Sequence, residues 1–347
     1  MESTEKKIGY AVVGLGIGMA HVDAALNNPN CKLVAVCDLI PEKMEKVKEK
    51  CPDVRMYVDY AEMLKDPDID IVSVCVPSGM HADFTIQALE AGKNALCEKP
   101  IELTPERALP MEEARVRTGK KLGIVFQNRN NACMKPMKEA VDSGRIGKIF
   151  CGTFNVKWYR TDKYYEGWHG TWDMDGGGSL INQSVHTVDL MQWLMGDVEC
   201  VTSEMRVVNH DIETEDFTSS LIRFKSGAVA TFVSTTCAYP GLCTGIQVYG
   251  TNGSMEADSD ALTAWKFCDA EEDEEEEMLE RYGQGNRMAS AMDPTLVSGH
   301  QSMVDDIIDA VRFDRDPQIL PMEAIKAVRI INAIYESAKT GKTVYLD

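Results

Sequence analysis

A short β-rich apolar run, Ile8–Val13, stops at Gly14-Leu15-Gly16-Ile17-Gly18 and gives way to a helix-like period lasting to Asn28-Pro29. The alternation then repeats. Lys32–Cys37 reads as a strand, Pro41–Lys50 as a helix, Arg55–Val58 as a strand and Asp59–Leu64 as a helix. Ile69–Val76 follows as a strand, Met80–Ala91 as a helix and Asn94–Cys97 as a strand. Such alternation predicts a parallel sheet with helices on both faces. A strand at Lys121–Phe126 and a helix at Ala132–Ser143 lead to a strand starting near Lys148. From Val198 the pattern changes to successive β-rich runs at Val201–Val208, Phe217–Phe224, Ala228–Thr236, Gly245–Tyr249, Ser254–Ala257 and Leu262–Phe267. Lys225-Ser226-Gly227 and Thr251-Asn252-Gly253 read as hairpin turns, so this part predicts an antiparallel sheet. Helices would cover one of its faces and a second subunit the other. Helices at His300–Phe313 and Met322–Ser337 and a strand at Thr343–Leu346 close the chain. At 347 residues two domains are expected, cut between residues 126 and 127.

Strand, glycine turn and helix in that order form the context of a dinucleotide site. Gly14, Gly16 and Gly18, with Ile17 between, would permit the tight turn and the close approach of a pyrophosphate to amides at the helix start. The usual spacing is shortened, because Met19 holds the sixth place and Gly18 comes one residue early. The second strand ends at Asp38, about 20 residues past the glycines, where a carboxylate accepts from ribose hydroxyls and repels a 2′-phosphate. Leu39 and Ile40 follow with no arginine, so NAD is favoured over NADP. Pro77 and Ser78 lie just past the Ile69–Val76 strand, and they and His81 are candidate cofactor contacts; His81 serves equally as a helix cap. Glu98 and Lys99 end the next strand. A lysine there could stabilise negative charge on a substrate oxygen, or be a surface lysine before a proline turn.

The stretch Asp175–Asp189 breaks the apolar pattern differently. Gly176, Gly177 and Gly178 each cost backbone entropy, which is justified where bare backbone approaches a ligand. An apolar-periodic segment follows, and on a continuous helix Asn182, His186 and Asp189 would share one face at i, i+4 and i+7. Upstream, Arg129 follows the Lys121–Phe126 strand and could bind a polyhydroxyl or anionic group, or link the domains through a salt bridge. Tyr159, Trp168 and Trp172, with Trp158, Tyr164 and Tyr165, crowd one loop-like stretch with Arg160, Lys163 and His169. Aromatic walls suit the C–H faces of sugars; packing between domains or subunits is the other reading.

Composition narrows the partners. The net charge of −19 argues against nucleic acid and anionic membranes, and 44% hydrophobic residues with 26% charged suit a soluble globular protein. Asp269 and Glu271–Glu277 concentrate negative charge, and a solvated loop is expected there. No apolar run approaches the roughly 18 residues of a membrane span, and Met1–Lys7 lack an apolar signal core. Eleven cysteines without a Cys-x-x-Cys pair point to free thiols in a reducing cytoplasm. The six histidines are scattered, so no metal site is expected.

Gly14-Leu15-Gly16, Val76-Pro77-Ser78-x-x-His81, Glu98-Lys99-Pro100, Ser143-Gly144-Arg145-Ile146-Gly147-Lys148 and Gly176-Gly177-Gly178 leading to His186-x-x-Asp189 occur in this order. Together they resemble the glucose–fructose oxidoreductase / inositol dehydrogenase (Gfo/Idh/MocA) family, over nearly the whole chain. The resemblance implies an α/β fold: an N-terminal Rossmann dinucleotide-binding domain (1–126) and a C-terminal α+β domain with a large open, mostly antiparallel sheet (127–347). It also implies oxidoreduction of sugars or cyclitols with a nicotinamide cofactor, with Lys99 as the lysine of the family and His186 as its catalytic base. Asn182 stands where the family often has aspartate; an amide orients the ring and substrate but does not stabilise an imidazolium.

The expected reaction moves hydride from a secondary carbinol to nicotinamide C4. His186 would take the hydroxyl proton, Lys99 hold the alkoxide and Asn182 fix a hydroxyl. Resemblance favours C3 oxidation of a glucose-type pyranose or glucoside. Inositol 2-dehydrogenation is the nearest rival. A nucleotide sugar ranks lower, because its pyrophosphate would want more cations than Arg129, Arg160 and Lys163. A non-catalytic NAD-binding sensor is the reading from another class, and retention of both Lys99 and His186 weighs against it.

Overall fold

The computed structural model describes residues 6–285 and 299–346, so the leader expectation drawn from Met1–Lys7 lies mostly outside the described residues. Contacts divide the chain into two compact units, residues 6–127 with 299–325, and residues 128–285 with 326–346.

The first unit holds a six-stranded sheet in the order β3-β2-β1-β4-β5-β6. Its strands are β1 (Ile8–Val13), β2 (Cys31–Cys37), β3 (Arg55–Tyr57), β4 (Ile71–Val74), β5 (Asn94–Cys97) and β6 (Leu122–Ile124), and every pairing is parallel. Being covered on both sides, the central strands are mostly apolar rather than alternating; all four residues of β4 are buried. Strand order reverses between β1 and β4, the crevice where open α/β sheets take ligands. The helix His300–Arg312 packs here too: Asn28 Nδ2 donates to Asp305 at 2.6 Å and Gln301 Nε2 to the Ala24 carbonyl at 3.1 Å. A single cut after residue 126 therefore misses this return of the chain. The helix Pro105–Thr118 was also not legible, since Pro110 interrupts its interior and its apolar positions are sparse.

The second unit holds an eight-stranded sheet in the order β13-β12-β11-β7-β10-β9-β8-β14. Its members are β7 (Ile149–Lys157), β8 (Val198–Arg206), β9 (Phe217–Phe224), β10 (Val229–Thr235), β11 (Cys243–Gly250), β12 (Gly253–Asp258), β13 (Ala261–Phe267) and β14 (Val344–Tyr345). β7 pairs with β10 in parallel and the other pairings are antiparallel, which makes the sheet mixed. Along β9, Thr218, Ser220, Ile222 and Phe224 are buried while Ser219, Leu221 and Arg223 are exposed, so one face is covered and one open. The helix α7 (Val185–Met195) lies on the covered face, close enough that a Cβ on Gly152 would stand 2.5 Å from Met195 Sδ.

The acidic run is an exposed turn through Asp273, but not beyond it. Glu274–Tyr282 is a helix whose first turn carries Glu274–Glu277, where carboxylates favour the helix dipole. Arg145 grips Glu274 with two hydrogen bonds of 2.6 and 2.7 Å, and Trp265 Nε1 donates to it at 2.8 Å. Arg145 holds the Glu274 carboxyl down to about 2. Among the described residues no helix is long and apolar enough to cross a membrane.

Candidate active site

In the first unit the glycine loop is built by two different demands. Gly14 has φ +84°, and a Cβ there would stand 2.4 Å from the Cys75 carbonyl oxygen; a Cβ on Gly18 would meet Val12 at 2.9 Å. Both glycines answer to the chain. Around Gly16, by contrast, an added Cβ would meet nothing within 4 Å, so its bareness leaves open space at the start of the helix Gly18–Asn27, just after Ile17. That opening fits a pyrophosphate lying against backbone amides. Asp38 accepts from Leu15 N–H at 2.7 Å and from Ile40 N–H at 2.9 Å, which holds a carboxylate beside the loop for the ribose. Lys43 stands 3.6 Å from it.

Ser78 is buried and begins a short 3₁₀ turn after Pro77. His81 corrects an expectation: it is 1% exposed, with Nδ1 at 2.7 Å from the Pro100 carbonyl and Nε2 at 2.9 Å from that of Val76. It is a strut tying the two strand-end loops together rather than a cofactor contact. Glu98 is likewise buried at 3% exposure. Its Oε1 meets His21 Nε2 at 2.9 Å and His300 Nε2 at 3.0 Å, and its Oε2 accepts from the Lys99 N–H at 3.0 Å. Ser73 continues the network to His21 Nδ1 at 2.8 Å and to the Tyr10 hydroxyl. Burial pushes the Glu98 carboxyl up, but the two imidazoles outweigh it and hold it well below the usual range. Glu98 thus anchors the backbone from which half-buried Lys99 projects; it is not itself presented to a cofactor.

In the second unit the triple glycine is explained by the chain's own close approach, not by a ligand's. A Cβ on Gly177, at φ +156°, would lie 2.0 Å from the Tyr335 hydroxyl, and one on Gly178 would lie 1.9 Å from the Glu215 carbonyl oxygen. Ser179–Gln183 then forms a π-turn and α7 begins only at Val185. Asn182 and His186 therefore do not share one continuous α-helical face. The Asn182 amide donates to Asp175 and stands 3.2 Å from His169 Nδ1, while its oxygen accepts from Gln183 Nε2 at 3.1 Å. His186 is 8% exposed in the first turn of α7. Asp189 takes two hydrogen bonds of 2.7 and 2.6 Å from Arg129, so the guanidinium expected at the substrate is gripped by a carboxylate inside the same unit.

The aromatic stretch is mostly packing. Trp158 donates to Thr244 at 2.9 Å, and Trp172 donates to the Glu213 carbonyl at 3.1 Å while lying under Lys339. Tyr159 meets Tyr239 edge to face. Trp168 and Tyr164 flank His169, with ring centroids 3.9 and 4.4 Å away, and this cluster adjoins Asn182. Arg160 is buried over Trp158 and donates to Gln183 at 3.0 Å.

A family model described as "Oxidoreductase family, NAD-binding Rossmann fold" matches residues 8–126, and one described as "GFO/IDH/MocA C-terminal domain" matches residues 134–256. The WlbA dehydrogenase of Bordetella pertussis, solved with NADH and UDP-GlcNAcA, superposes with a TM-score of 0.90 at 30% identity over 99% of both chains. The chain belongs to the Gfo/Idh/MocA family. It is an NAD-dependent oxidoreductase whose first unit is the Rossmann domain. Among other Gfo/Idh/MocA relatives, the D-glucoside 3-dehydrogenase of Escherichia coli is 30% identical over 56% of this chain and 55% of its own length. The myo-inositol 2-dehydrogenase of Thermotoga maritima is 28% identical over 76% and 78% respectively.

Several residues that shape this Gfo/Idh/MocA site escape a sequence reading: His21, Glu215 and Tyr335. Each acts across a long stretch of chain, and no local spacing announces it. The signal available was chemical: Glu215 and Asp216 sit in a run otherwise patterned as a strand start.

Proposed function

We propose that this chain oxidises a secondary hydroxyl of a pyranose, at C3 of a glucose-type sugar or glycoside, with His186 as base and Lys99 as the alkoxide's partner. The observation that carries it is Lys99 at the carboxyl end of β5 in an NAD-binding sheet, its backbone fixed by the buried Glu98. Bound NAD supplies the hydride acceptor. His186 takes the hydroxyl proton, because an alcohol does not ionise unaided near neutrality. Lys99 donates to the oxygen as it becomes anionic, where charge stabilisation gains most in a dehydrated site. Asp38 holds the ribose, and its carboxylate favours NAD over NADP. Asn182, with the His169 cluster, orients the sugar. The D-glucoside 3-dehydrogenase relative supports the C3 assignment.

A second reading is a nucleotide-linked sugar acid, favoured by the likeness, over 99% of the chain, to a WlbA dehydrogenase solved with UDP-GlcNAcA. Against it, Arg129 and Arg160 already donate to Asp189 and Gln183. The enzyme would work in the reducing cytoplasm, since all eleven cysteines are free. It would assemble through the open sheet face, where Leu221 and Val229 are exposed.

Incubating the protein with NAD and, separately, methyl glucosides, inositols and UDP-linked sugars tests this. Reduced-nicotinamide absorbance and a product two hydrogens lighter are expected with a glucoside. Turnover of inositols alone would move the assignment to a cyclitol, and turnover of UDP-sugars alone to the second reading. Tight NAD binding without turnover of any member would leave a sensor.

A further inference from the structure

Four successive amides ahead of the catalytic helix are satisfied by two residues, Glu215 and Tyr335, to which the proposed reaction gives no role; three of the four bonds go to their side chains. Gly178 N–H donates to Glu215 Oε2 at 2.8 Å, and Leu180 N–H to Glu215 Oε1 at 2.7 Å. Between them, Ser179 N–H donates to the Glu215 carbonyl oxygen at 3.0 Å. Ile181 N–H donates to the Tyr335 hydroxyl at 3.3 Å, and that hydroxyl donates to Glu215 Oε1 at 3.2 Å. A helix start leaves its first N–H groups without internal partners, and here Glu215 and Tyr335 take all four. Both are buried, so water does not replace them. Glycine at 177 and 178 is what lets the two groups come this close.

We propose that Glu215 and Tyr335 are positioning residues of the reaction, clamping the π-turn that carries Asn182 and so setting where His186 stands. The proposal rests on the reading of His186 as base. The clamp needs the ionised carboxylate, because a carboxylic O–H would face an amide donor in place of an acceptor. Burial, working against the backbone amides and Tyr335, pushes the Glu215 carboxyl up to about 7. The titratable groups around it are Tyr335 from the helix Pro321–Thr340, Tyr165, Asp175 and the adjacent Asp216. Among the described residues no cation lies within ion-pair reach of it. Burial holds the Tyr335 phenol well above its ordinary range, so it stays a donor throughout. The clamp therefore tightens as pH rises through neutrality and releases as pH falls.

Amide hydrogen exchange over residues 178–181, read by mass spectrometry in the full chain, tests the clamp without reference to any substrate. The expected result, after correction for intrinsic exchange, is protection at pH 8 that weakens toward pH 6. Glu215→Gln should exchange at least about tenfold faster at pH 8. Its turnover of the oxidised sugar should fall about 10- to 100-fold with KM changed less than about threefold, as a misplacement of about 1 Å costs. Protection in Glu215→Gln equal to wild type, or unchanged turnover, overturns the proposal. If that variant does not fold, Tyr335→Phe decides: the clamp's pH midpoint should move up, and an unmoved midpoint overturns the proposal. His186→Ala, run alongside, separates the two claims. Retained turnover there removes the base assignment while the exchange result still judges the clamp.

Discussion

Asn182 and Asp175 are joined side chain to side chain, the amide of one donating to the carboxylate of the other. Where an aspartate stands at position 182 in other members, a carboxylate reaches this site from seven residues upstream. Asp175 is 1% exposed and also accepts from the Gly170 N–H at 2.9 Å. Restoring aspartate at 182 would set two carboxylates in contact, and one must then bind a proton more tightly than usual. A raised carboxyl pKa in the folded state is a stability that disappears as pH rises. Asn182→Asp should therefore melt below wild type at pH 8, with the gap closing toward pH 5. A gap independent of pH would contradict the pairing.

Gly14 and Gly16 should separate cleanly on substitution. Gly14→Ala imposes a positive φ on an alanine and drives its Cβ into the Cys75 carbonyl, which should cost about 2 kcal/mol or more of stability. Gly16→Ala meets nothing in the chain, so its melting temperature should hold while NAD affinity falls. Calorimetric binding and thermal denaturation read both. A stability loss at Gly16 with normal NAD binding would remove the pyrophosphate from that opening.

The Arg129–Asp189 pair is buried and two-pronged, and breaking such a pair strands a charge. Arg129→Ala should cost about 3–5 kcal/mol in denaturant unfolding, and Arg129→Lys should recover only part of it, since lysine lacks the planar fork. A cost below about 1 kcal/mol would mean that the guanidinium spends its time elsewhere.

Glu98 links stability to pH with a definite sign. Its carboxyl is held below the ordinary 4.5, so its contribution is complete above that value and lost as pH falls through the lower folded one. His21, lowered from 6.5 chiefly by burial, adds a loss in the same direction that begins as pH drops below 6.5. Melting temperature should therefore fall on acidification from that point. Glu98→Ala should be destabilised by about 3–5 kcal/mol at neutral pH and should lose less on further acidification below pH 4.5 than wild type does. Parallel acid profiles in the two proteins would contradict the network.

The parallel sheet was legible because its central strands are mostly apolar and separated by short helices; β1, β2 and β5 fall close to where their runs of valine, alanine and leucine place them. Lys99 and His186 were singled out by motif resemblance alone, and their roles remain proposals. What the sequence concealed is long-range. Residue 300 returns to residue 98, and residues 215 and 335 converge on residue 178, so nothing in any local window marks them. The triple glycine carried a true signal of close approach with the wrong partner attached, because a turn pressed against its own chain and one pressed against a ligand both require glycine. The end of the acidic run misled for a related reason: Arg145, far away in sequence, docks the helix that begins at Glu274.

The account turns on hydride leaving C3 of a glucose-type ring. Methyl glucoside carrying deuterium only at C3, incubated with the enzyme and NAD, tests this most directly. The account predicts a 3-keto product and reduced nicotinamide one mass unit heavier, with both absent in His186→Ala and Lys99→Ala. Unlabelled reduced nicotinamide formed beside an oxidised sugar would place the reaction at another carbon and contradict it.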